Sequence, residues 1–186
     1  MAALLHSFGL TRTGHRDKIE MQFRGETVCY LRVQDVWATK AGDRMMICTN
    51  FKAIYAARLN WVYGVSRRPG AGLALKRLKF KALQPSRADR DPYIWALLIA
   101  LAQAHKKLAP DAPRWKILLL ACPGPGVRQL YCYQGWVPAP LLRKLDEPSA
   151  EVACPAVAIR VSTISLEAPR DAARCIWEML HEAELV

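Results

Sequence analysis

Residues 91 to 108 constrain this chain more than any other stretch. Asp91 is suited to cap a helix, Pro92 fits the first helical position, and Pro110 stops the run. Between those signals Ile94, Trp95, Leu97, Leu98, Ile99 and Leu101 are apolar around most of the helix circumference. A helix tolerates that only when neighbours cover it on nearly every side. A central buried helix is therefore expected, with Trp95 and Leu98 both in the core. With 186 residues, 52% of them apolar, the chain can fill one good core and is short for two.

The other elements follow from period and punctuation. Met1 to Lys18 shows no sustained period and is expected to be a loosely held leader (1–18) before one α+β domain (19–186). Val28, Tyr30, Val33, Val36 and Trp37 predict a strand over Thr27 to Ala38. The turn residues Lys40 to Asp43 then predict a hairpin with Met45 to Cys48. Asn50 caps a predicted helix that carries Ile54, Tyr55, Leu59 and Trp61 and ends at the Gly64 region. Leu73 to Leu83 fits two templates, and its alternation of Leu78, Phe80 and Ala82 with Arg77, Lys79 and Lys81 favours a half-exposed strand over a helix.

Trp115 to Cys122 is apolar on both faces and predicts an interior strand, turned by Pro123 to Gly126 into a second hairpin strand around Leu130 to Tyr133. If that loop sets Cys122 opposite Arg128, then Trp115, Ile117 and Leu119 share a face with Tyr131 and Tyr133. That face is core under a helix, or else a surface for a peptide or partner sheet. A short helix from Pro138, a strand over Val157 to Leu166 and an amphipathic helix from Pro169 complete the chain. The fold class expected is α+β: a mixed sheet with two hairpins, covered by the central helix and the C-terminal one. The order also permits a ββαβα pseudo-repeat over 27–108 and 114–184.

Charge is the feature with functional content. The formal net charge is +11, and +7 of it lies between residues 67 and 90, where Arg67, Arg68, Lys76, Arg77, Lys79, Lys81, Arg87 and Arg90 face only Asp89. On a strand, Arg77, Lys79 and Lys81 would point one way at about 7 Å intervals, close to a phosphate spacing. Phe80 would then face inward, leaving no exposed aromatic platform. Lys76 to Lys81 also has the composition of a short basic import signal, which would place the protein in the nucleus as well as the cytoplasm.

Several chemistries lack their residues. The six cysteines show no Cys-x-x-Cys and read as small buried apolar side chains; no metal or cofactor is expected. The longest apolar run falls short of a membrane span, and the first ten residues lack a secretory pattern, so an intracellular protein is expected. Pro123-Gly124-Pro125-Gly126 lacks a following Gly-Lys-Ser or Gly-Lys-Thr and is a hairpin loop rather than a phosphate cradle. His6, His15, His105 and His181 accompany no hydrolase motif.

The helix-then-hairpin order after Asp91 resembles nucleases of the PD-(D/E)XK superfamily, whose chemistry would need carboxylates on those strands. The strands offer Lys116 and Gln129 instead, and Asp89, Asp91, Asp146 and Glu147 read as helix-terminal acids. The segment Asp91 to Gln103, with Leu130-Tyr131-Cys132-Tyr133 and Leu145-Asp146-Glu147-Pro148-Ser149, is similar to small uncharacterised proteins of filamentous fungi. That resemblance implies a eukaryotic intracellular setting and brings no activity. Two function classes remain: a basic interaction module contacting nucleic acid or an acidic protein, and an enzyme with a nuclease-like core whose site is assembled from distant residues.

Overall fold

In the computed structural model, which describes residues 5–6, 9–13, 17–42, 44–64 and 72–181, the doubly apolar run is an interior strand. It is β6 (Arg114–Cys122) of a six-stranded sheet whose other members are β1 (Leu10–Arg12), β4 (Asp35–Thr39), β5 (Met45–Asn50), β7 (Gln129–Pro138) and β8 (Ile159–Ser165). The order is β1-β4-β5-β6-β7-β8. Only β5 and β6 run parallel, which makes the sheet mixed. A separate two-stranded sheet pairs β2 (Lys18–Phe23) with β3 (Glu26–Arg32). Helices with described bounds are α1 (Phe51–Tyr63), α2 (Leu73–Ala82), α3 (Pro92–Leu108), α4 (Ala139–Asp146) and α5 (Pro169–His181), with a 3-10 turn at Ala88–Arg90.

Alternation along β6 divides the interior in two. Ile117, Leu119 and Ala121 face α3, against its Ile94, Leu97, Leu98 and Leu101. Leu118 and Leu120 face the opposite side with Trp37, Met46 and Cys132, where Ala172, Ile176 and Leu180 of α5 cover them. The expected α+β fold, with a mixed sheet between a central and a C-terminal helix, is the one observed. In the second hairpin Leu119 pairs with Tyr133 and Ala121 with Tyr131. That register differs by two residues from closure of Cys122 on Arg128, and an even shift keeps the same side chains on the same face. Trp115, Tyr131 and Tyr133 accordingly pack in the core beneath α3.

The central helix starts as its sequence requires. The Asp91 side chain accepts from the Tyr93 backbone N–H at 2.8 Å, and Pro92 occupies the first turn. Its outer side is closed by β2 and β3. Gln103, the one polar interruption of the apolar run, is buried and uses both ends of its amide on residue 22: Oε1 accepts from the backbone N–H at 2.9 Å and Nε2 donates to the carbonyl at 2.8 Å. This pairing sits at the β2–β3 register shift between Met21 and Gln22, where the ladder leaves backbone groups in need of partners. His105 Nε2 accepts from the Met45 N–H at 2.9 Å, tying α3 to β5.

Several expectations need correction. Leu73 to Leu83 is a helix, not a strand; Leu, Ala, Lys and Arg dominate it, and it has no β-branched residue to favour a pleated backbone. With that strand gone, the first half no longer repeats the element order of the second. Trp95 is 42% exposed, because the hairpin covers the later turns of α3 and leaves this side of the first turns open. The predicted strand over Thr27 to Ala38 divides at Val33 and Gln34, so that β3 joins β2 while β4 alone forms the hairpin with β5. Of the cysteines expected to be buried, Cys29 and Cys154 are exposed. Within the leader, Leu10–Arg12 pairs with β4, and Leu5 and Leu10 are buried.

Candidate polyanion-binding face

Asn50 caps α1 by accepting from the Ala53 N–H at 2.6 Å. Ile54 and Val62 fix the inner face of the helix. Gly64 ends it at a positive φ of 68°, a conformation that favours glycine, with its N–H donating to the Asn60 carbonyl at 2.8 Å. This anchoring leaves Tyr55 (48%) and Trp61 (65%) exposed. They form the bed for α2. Phe80 meets the Tyr55 ring edge-on at 5.2 Å and the Tyr63 ring at 6.0 Å, and Lys79 Nζ stands 4.2 Å from the centre of the Trp61 ring.

No residue of α2 is fully buried; one side rests on α1 and the rest meets solvent. Lys76, Arg77, Lys79 and Lys81 all lie on this helix, which contains no acid, and among the described residues none of the four is ion-paired. At 3.6 residues per turn they form two flanks, Lys76 with Lys79 and Arg77 with Lys81, instead of the single row a strand would have given. Arg87 is tied to Asp89 by bonds of 2.6 and 3.0 Å, and each partner holds the other charged: the Asp89 carboxyl is lowered and the Arg87 guanidinium raised. Arg90 closes the 3-10 turn, whose Asp89 carbonyl accepts from the Tyr133 hydroxyl at 3.1 Å. Burial pushes the Tyr133 hydroxyl up, so it stays a donor at neutral pH. Arg67 and Arg68 lie outside the described residues.

The structure therefore brings Lys76, Arg77, Lys79 and Lys81 onto one helix and joins Arg87 to a structural pair. Sequence reasoning missed Trp61, Tyr55, Leu75 and Leu78 as surface groups. The Leu/Lys pattern at helical spacing was the signal that could have found the last two.

The acids considered for metal-assisted chemistry are engaged elsewhere. Asp91 is paired with Arg58, Asp146 with Lys106 at 2.8 Å, and Glu147 with Arg143 at 3.5 Å. Lys116 lies beside Trp136, while Gln129 opens β7 at the far end of the same hairpin. Among the described residues no group of three or more His, Cys, Asp or Glu side chains is placed to hold a metal ion. A cavity of about 320 Å³ between β2 and α3 is lined by Glu20, Gln22, Lys18 and Lys107 among others, with one carboxylate and no converging set. Among the described residues no helix is long and apolar enough to cross a membrane.

Fold and site together define an α+β protein with an acid-free basic helix displayed on an aromatic bed. Comparison with protein families, curated proteins and solved structures finds no match.

Proposed function

We propose that this protein is an intracellular basic interaction module that engages a polyanion, nucleic acid included, through α2 and the residues around it. One observation carries the reading. Lys106, Lys107 and Arg58 are matched to acids within the fold, whereas the four bases of α2 have no acid on their helix and, among the described residues, no ion pair. Unmatched charge concentrated on one element attracts anions and speeds their encounter.

Fluorescence anisotropy with mixed-sequence RNA and with polyglutamate tests it. Binding of at least one probe is expected at low salt, weakening steeply as salt rises. The triple variant Arg77→Gln, Lys79→Gln, Lys81→Gln should lower the RNA salt slope by up to about 3, with an unchanged circular dichroism spectrum, since those side chains face water. Failure of both probes to bind wild type, or an unchanged triple variant, overturns the proposal.

A further inference from the structure

From the geometry of α2 we infer that its partner is an acidic amphipathic helix of another protein; the inference rests on the polyanion reading and names the partner class for the same face. The helix has two apolar sides. One holds Phe80 and is used against α1. On the other, Leu75 and Leu78 are 70% and 65% exposed, and by helical period exposed Ala82 continues their line. Among the described residues nothing covers this stripe.

Both edges of the stripe are basic, with Lys79 along one and Lys81 along the other, Lys76 and Arg77 lying further round. The complement is a helix presenting an apolar line at spacings of three and four with acids on both sides. Charge and apolar complementarity together favour this occupant over the others. A second copy of this chain would set four bases against the same four. A nucleic-acid backbone could use the basic flanks, but it would leave the exposed Leu75 and Leu78 without an apolar partner. A lipid surface calls for a broad apolar face, and this ten-residue helix, held on α1, offers two leucines and an alanine between cations.

The probe is a labelled peptide of about 20 residues, long enough to form helix on its own. It is built from Leu, Ala and Glu with leucines at i, i+3, i+4 and i+7; a scrambled peptide of the same composition, mixed-sequence RNA and vesicles rich in phosphatidylserine are compared with it. The patterned peptide should bind at least about tenfold more tightly than the scrambled one, and Leu75→Asn with Leu78→Asn should abolish that margin while leaving RNA binding unchanged. Both leucines are exposed, so the double variant should keep its circular dichroism spectrum and melting temperature. Equal binding of the two peptides, or a margin that survives the double variant, overturns the inference. So does leucine-dependent binding to vesicles tighter than to the peptide, or self-association that the variant abolishes. In each of these cases salt-sensitive RNA or polyglutamate binding would leave the polyanion reading standing. If no anionic probe binds at all, both fall.

Discussion

At the scale of single residues, apolar character in α3 does not by itself place a side chain in the core. Leu98 is 1% exposed between the sheet and the rest of the core, and Leu98→Ala should cost about 3 kcal/mol through lost burial and the cavity left behind. Trp95→Ala, at a site 42% exposed, should cost about 1 kcal/mol. Denaturant unfolding of the two variants measures both, and equal losses would mean that Trp95 packs as deeply as Leu98. Sequence periodicity located both residues on the right helix. It could not tell them apart, because each satisfies the same pattern; Leu98 faces the sheet with Ile117 and Leu119, whereas the side of the helix that carries Trp95 is left partly open. Gln103 shows the converse: a polar break in an apolar run, it is buried, and its partner is the backbone of Gln22, 81 positions away.

At the scale of elements, the second hairpin and β8 are fitted to each other at Gly135. A Cβ there would lie 2.6 Å from Ile159 Cδ1 and 2.7 Å from the Ala158 carbonyl oxygen. Backbone cannot yield as a flexible side chain can, so Gly135→Ala should shift β8 and destabilise the protein by about 1–3 kcal/mol. A melting temperature equal to wild type would show that β8 moves aside freely. The β6–β7 hairpin was legible because a doubly apolar run, a Pro/Gly loop and a second apolar run leave little choice. The α2 segment was misread because its alternation of leucine or phenylalanine with lysine or arginine satisfies a strand for six residues. Helix propensity then decides, and Leu, Ala, Lys and Arg all favour a helix.

For the whole molecule, the cysteines set the chemistry of stability. All six are free, so reductant should leave the melting temperature unchanged at neutral pH, and with no cluster of metal-binding side chains among the described residues chelator should do the same. A fall on either treatment would reveal a covalent or metal link. Alkali should act differently. Burial pushes the Cys48 and Cys132 thiols from 9.0 up to about 12. The unfolded chain then loses those protons at lower pH than the folded one, and the stability fully present below pH 9.0 drains away as pH rises toward 12. Unfolding measured from pH 8 to 10.5 should show that fall, reduced in Cys48→Ala with Cys132→Ala; an identical slope in the double variant would place the titrating groups elsewhere.

The sequence by itself determined the helix from Pro92 to Leu108, the interior strand from Trp115 to Cys122, the amphipathic C-terminal helix and the concentration of charge between residues 67 and 90. Each of these is a local property, carried by caps, period and composition within about 20 residues. Only the tertiary structure decided that Thr27 to Ala38 serves two sheets, that Trp95 meets solvent, and that the leucines of α2 point away from α1 with bases on either side. Those outcomes depend on which surfaces distant segments cover, and pairings such as β5 with β6, some 70 residues apart, leave no trace in the local pattern of either strand.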